Sequence, residues 1–314
     1  TPTNAMIKRQ TPFGASYVRP QSYDGATIYV QTTGDVCRDY LYSDAEAAYV
    51  SSSISSLSPH LITKPIQVSV LNGGLNRPES YTFLVNLDGT IAMFTSNRAE
   101  KRAGWSQLTT QGFFHSICTV DDRVFLVVAY NKASTGSPDF KFVLTEFEPS
   151  SNLDFSDTFT GTASVFDVSS HFSNGAVVDV LSGTDYLGEF TVAGGNVDVS
   201  AVDATLTSVE IGFRFSVNAH TMPIDGAIQG GPLTGQQRSI SKVILDVKDT
   251  LSVNVNGSEL ILRNVTDDFS QGRSATTGKH EFRFLGYGRD PVVKISQSSP
   301  LPLDINGLVT ELSF

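Results

Sequence analysis

Hydrophobic and polar positions alternate in short runs separated by turn residues along most of the chain, the period-two pattern of half-buried strands. The first clear pair runs from Thr27 to Thr32 and from Val36 to Tyr42 across Gly34 and Asp35, with Val36, Arg38, Tyr40 and Tyr42 on one face. Gly34 supplies the positive φ that a tight hairpin requires. Ser58 to Ile62 predicts a short helical turn, with Ser58 as cap and Pro59 at its first position. Strands are then predicted over Ile66 to Leu71, Tyr81 to Asn86, Thr90 to Thr95 across the turn Leu87-Asp88-Gly89, Gly104 to Thr109, Phe113 to Val120, and Asp122 to Tyr130. Sets of about four short antiparallel strands are how propeller blades are written in sequence. Residues 1–149 therefore read as a partial β-propeller, one or two blades and the remains of another, with further blades expected before Thr1.

The stretch Glu148 to Phe155, with Pro149, Ser150, Ser151 and Asn152, marks a domain boundary. Beyond it strands are predicted over Ala163 to Val168, Ala176 to Leu181, Glu189 to Val192, Val197 to Val199 and Ser208 to Val217. Further strands follow over Ser241 to Val247, Leu251 to Val255, Glu259 to Leu262, Lys279 to Phe284 and Val292 to Ser296. This even spacing predicts an antiparallel β-sandwich or barrel-like domain over residues 150–314. The fold class is thus all-β, with blade-like antiparallel sheets followed by a sandwich or barrel. A long loop, 217–240, carries Gly226, Gly230, Gly231 and Gly235. Loops of that length in compact domains are usually functional. Gln229, Gln236, Gln237 and Arg238 are its candidate subunit-interface or channel residues; the alternative is a solvated connection between sheets.

Composition sharpens the picture. Hydrophobic residues make up 40% and charged residues 17%, enough apolar material for packed cores. The net charge of -10 argues against a groove that grips nucleic acid through many phosphate contacts. It suits a surface past which DNA slides. Cys37 and Cys118 form no metal-ligand spacing and are expected to be reduced, buried, small hydrophobes. No run of about 18 apolar residues occurs, and Thr1 to Gln10 lacks the plan of a signal peptide.

Several segments in collinear order resemble the tail-nozzle (tail tubular B-like) proteins of short-tailed bacteriophages. They are Ile7 to Gly14 with Val18-Arg19-Pro20; Ile28 to Gln31 with Gly34 and Arg38-Asp39-Tyr40; and Leu57 to Leu61. Trp105 with His115 to Cys118, Ala219 to Pro223, Gln236 to Ile240, Gly286 to Asp290 and Pro300 to Leu303 complete the series. Asp39 stands where the family has Glu. The resemblance covers nearly the whole chain and matches the C-terminal half of the family. It implies a structural virion component, a subunit of a ring, hexameric in the family, that extends the DNA channel and helps retain and release the genome. Adaptor and other tail proteins would be its partners, and DNA would pass without specific binding. Assembly in the host cytoplasm and residence in the virion tail follow from the same resemblance.

No enzyme motif emerges, and neither a cofactor nor a metal site is expected. His60, His115, His171, His220 and His280 show no ligand spacing. Gly272 to Lys279 departs from a P-loop in its glycine spacing, and His280 stands where Ser or Thr is required. Asp121-Asp122 and Asp267-Asp268 read as solvated turns. Asn256 and Asn264 head glycosylation triplets that carry no meaning in a bacterial host. The competing function is a glycan-binding or glycan-degrading tail protein, which needs exposed aromatics beside carboxylates. Trp105, the one tryptophan, falls inside a predicted blade strand.

Overall fold

A computed structural model describes residues 9–74, 79–98, 100–131, 140–223, 227–228, 231–232, 236–262 and 273–313. Strand accounts for 55% of it, and no α-helix occurs among the described residues, so the chain is all-β with several antiparallel sheets, none closed. It divides into two compact units, Thr1–Pro149 and Ser150–Phe314.

The first unit is built from three meanders in chain order. β1 (Gln21–Tyr23), β2 (Ala26–Val30), β3 (Cys37–Ser43) and β4 (Ala48–Ser53) form one sheet. β5 (Gln67–Leu71), β6 (Ser80–Val85), β7 (Ile91–Asn97) and β8 (Arg102–Leu108) form the next. β9 (Phe113–Val120), β10 (Arg123–Asn131) and β11 (Phe140–Glu146) form the third. The hairpin glycine Gly34 has φ +79°, and at the β9–β10 turn Asp121 takes φ +51° with Asp122 exposed beside it. Asp267 and Asp268 lie outside the described residues.

Side chains latch successive meanders together. The Gln67 amide imitates a strand: Nε2 donates to the Ile117 carbonyl at 2.6 Å, and Oε1 accepts from Ile117 N at 3.1 Å and Ser116 Oγ at 2.9 Å. Tyr23 Oη lies 3.0 Å from the carbonyls of Ser80 and Ser96, and Trp105 Nε1 donates to the Ile54 carbonyl at 2.8 Å. Arg98 reaches the buried Asp39 carboxylate at 2.9 Å. These bonds satisfy polar groups that burial would otherwise penalise. Around them pack Ile28, Val30, Cys37, Leu84, Ala92 and Phe94. The turn at Pro59–Leu61 is a 3₁₀ helix with Pro59 leading; Ser58 makes no side-chain cap bond, and its carbonyl accepts from Leu61 N instead. Cys37 is buried, but Cys118 is exposed, which corrects the expectation that both are buried.

The second unit opens with β12 (Asp154–Thr160), β13 (Val165–Asp167), β14 (Val177–Ser182), β15 (Asp185–Thr191), β16 (Asn196–Asp198) and β17 (Ser208–Phe213). Their sheet order is β12-β17-β14-β15, with β13-β16 as a separate ribbon. The core between them holds Phe166, Val168, Val180, Val197, Val199 and Ile211, all fully buried. Each such side chain contributes about 1.5–3 kcal/mol on removal from water.

Next come β18 (Asn218–His220), β19 (Ala227–Ile228), β20 (Gly231–Pro232), β21 (Ser239–Thr250), β22 (Asn254–Val255) and β23 (Ser258–Glu259). β24 (Thr276–Arg283), β25 (Lys294–Ser296) and β26 (Asp304–Ser313) finish the chain. β21 is the centre of the sheet β24-β21-β26, and the other sheet runs β18-β25-β22-β23. Val243, Leu245, Val247, Val253, Val255 and Val293 fill this second core. Leu153, Leu181, Leu251 and Leu301 form a smaller one that joins the two halves of the unit. β12 occupies part of the segment read as a boundary, and β26 was not expected from the pattern.

Candidate functional site

The 217–240 loop begins at β18, contains the two-residue ribbon β19–β20, and returns to β21. Of the four residues singled out on it, Gln229 lies outside the described residues. Gln236 and Gln237 are exposed. Arg238 is fully buried. Its main chain exchanges two hydrogen bonds with Gly288, Arg238 N to Gly288 O at 2.9 Å and Gly288 N to Arg238 O at 2.8 Å. The guanidinium donates to the Arg289 carbonyl from Nε at 3.2 Å and Nη2 at 3.0 Å, with an Asp290 oxygen at 3.9 Å. The loop end is therefore anchored to Gly288, Arg289 and Asp290 by the main chain and side chain of one residue. Arg238 holds the base of the loop, and Gln236 and Gln237 are what it offers outward. Leu285, Tyr287 and Met222, on the adjoining segments, are also exposed.

Charge is distributed far more unevenly than composition suggests. Nine of the 32 carboxylates fall within residues 154–213, and none of the 22 lysines and arginines does; the remaining 23 carboxylates and 22 cations almost cancel. Asp157, Asp167, Glu189 and Asp198 are exposed. Asp167, Asp198 and Asp203 each accept from the main-chain N–H two residues on, at 3.0, 2.9 and 2.8 Å. Those bonds, with the Ser169, Ser200 and Thr205 hydroxyls, hold the three carboxyls below the ordinary Asp value and keep them charged. Asp179 is the buried exception. It takes Tyr186 Oη at 2.5 Å and Arg214 Nη2 at 2.5 Å, and burial followed by the Asp179 hydrogen bond pushes the Tyr186 hydroxyl well up.

Two further constellations bear on chemistry. Ser170 Oγ lies 2.8 Å from His171 Nδ1, and His171 Nε2 lies 3.3 Å from Asp157. Ser170 and Asp157 are exposed, and the imidazole packs on Phe155 and Phe159, so the row acts as a turn clasp. On the first unit, Tyr40 and Tyr49 stack at 5.0 Å and Tyr42 meets Tyr49 edge-on at 5.3 Å, beside Asp44 and Glu46 in the connecting turn. Period-two alternation placed Tyr40 and Tyr42 on one face; the register that adds Tyr49 came only with pairing. Trp105 is half-buried.

Among the described residues no group of three or more His, Cys, Asp or Glu is placed to hold a metal ion. Among them also, no helix is long and apolar enough to cross a membrane, which leaves strand-built spans aside. No protein-family model and no curated protein matches the chain.

Proposed function

We propose that this chain is a structural subunit of a ring-shaped tail nozzle of a short-tailed phage, part of the conduit through which the genome leaves the virion. The observation that carries the reading is the acidic segment 154–213, which has nine carboxylates and no lysine or arginine. A wall of that sign repels phosphate and lets DNA slide without sticking. Repulsion is effective within a Debye length, about 8 Å at physiological salt, so the wall must lie close to the DNA. The three consecutive meanders support a blade reading of residues 1–149, and the paired cores support a sandwich-like reading of residues 150–314. In this account the chain forms a homohexameric ring, meets adaptor and other tail proteins, and contacts DNA without specific binding. Gln236 and Gln237 are the loop residues offered to a neighbouring subunit or the channel. The work is geometric and electrostatic, with no catalytic step.

A second reading, glycan binding, is favoured by the Tyr40, Tyr42 and Tyr49 cluster beside Asp44 and Glu46. Fluorescence anisotropy with duplex DNA and a glycan array separate the two. The nozzle reading expects no DNA complex at physiological salt and no glycan retained. Retention of one glycan class, lost in Tyr49→Ala, decides for the second reading.

A further inference from the structure

We infer that Asp154–Phe213 is two tandem copies of one 31-residue pairing unit, and that these copies can be exchanged between two molecules of this chain. This inference does not depend on the nozzle reading.

The three strands of the first half and the three of the second have identical lengths and identical spacing, each displaced by 31 residues: β12 with β15, β13 with β16, β14 with β17. Seven of the 29 aligned positions are identical: Asp154/Asp185, Phe159/Phe190, Thr160/Thr191, Asp167/Asp198, Val168/Val199, Ser169/Ser200 and Val178/Val209. The match extends to geometry that sequence identity does not impose. Val168 N donates to Gly195 O at 2.9 Å, and its counterpart Val199 N donates to Ser164 O at 3.0 Å. Gly161 N to Thr207 O at 3.0 Å is answered by Val192 N to Ala176 O at 2.9 Å. Ala163 and Ser164 have φ +52° and +59°; the equivalent Gly194 and Gly195 have +61° and +81°.

Pairing shows how the copies fit. Val180 faces Ile211 and Phe166 faces Val197, each residue opposite its own counterpart, which is the signature of a local twofold axis. Every strand pair, β12–β17, β13–β16, β14–β15 and β14–β17, joins one copy to the other, and no strand pairs with a strand of its own copy. Main-chain bonds within a copy, such as Val165 N to Thr162 O and Ala193 N to Asn196 O, stay in its turns, so one copy leaves the ladder groups of its strands and its apolar face without partners until a second copy arrives. Only Gly183 and Thr184 link the copies, in the turn between Ser182 and Asp185. A symmetric pair joined by so short a hinge has the geometry of domain swapping: the second copy of one molecule can complete the first copy of another.

The test uses the full chain with Gly183 and Thr184 deleted, so that the hinge can no longer fold back. Thr160 and Ser208 face each other across β12 and β17. Thr160→Cys and Ser208→Cys are introduced in a Cys118→Ser background, with and without the deletion. The expected result is an intramolecular disulfide in the parent. In the deleted chain a disulfide-linked dimer should form, with unchanged β-sheet circular dichroism and cooperative melting. A deleted chain that is monomeric, or that aggregates without the specific cross-link, overturns the exchange.

Discussion

Arg238 donates from Nε and Nη2 to the main-chain carbonyl of Arg289, while its own main chain pairs with Gly288. A cation drawn entirely out of water is costly unless its donors are used, and truncation strands the carbonyl it serves. Arg238→Met should therefore destabilise the second unit by about 3 kcal/mol, and Arg238→Glu should prevent it from folding. The Gln237→Glu change should leave the urea midpoint unmoved, since that residue is exposed. An effect of it on assembly alone would mark the loop as an interface.

The duplicated turn predicts opposite signs for matched substitutions. Ala163 is held in left-handed backbone that glycine adopts freely, and Gly194 holds the same place in the second copy with open space where a side chain would begin. The left-handed region costs an ordinary residue about 1–2 kcal/mol. Ala163→Gly should raise stability by about 1 kcal/mol and Gly194→Ala should lower it by a similar amount, read as urea midpoint shifts.

The two thiols should separate in time. Burial, then the nearby Asp39 charge, pushes Cys37 up to about 12, so almost no thiolate exists at pH 8. Cys118 is exposed. Labelling with a disulfide reagent should modify one thiol promptly and the second only on unfolding.

Acid should weaken the acidic segment in a defined direction. The folded carboxyls of Asp167, Asp198 and Asp203 titrate below their ordinary 3.8. Their stabilisation is complete above the unfolded value and is lost as pH falls through the folded one. Melting temperatures measured from pH 6 down to pH 2 should drop below about pH 4, and the Asp167→Asn, Asp198→Asn double variant should drop less steeply.

How far the sequence reveals this fold depends on whether the signal is local. Phe113–Val120 was legible to the residue because its alternation is bounded by turn residues at both ends. The Gly34 hairpin was legible because only a few residues take its backbone. Asp154–Thr160 was masked by the serines and proline before it, and Asp304–Ser313 by Gly307 at its centre; both are held by partners distant in sequence. A period of 31 was detectable, but its identities are scattered through a polar, serine-rich text. Arg238 reads in the sequence as an interface or channel residue on a loop of glycines and glutamines, and only the return of Gly288 to its side buries it. The uneven charge was readable by counting within segments rather than over the chain.

We propose that an acidic, duplicated segment lines a conduit built by repetition of this subunit. Electron microscopy of the assembled protein at a resolution that places β12–β17 tests it most directly. The expected result is a closed ring with an axial channel and Asp167 and Asp198, exposed on the β13–β16 ribbon, facing the lumen. A closed ring with those carboxylates on its outer surface, or an assembly without a channel, would contradict it.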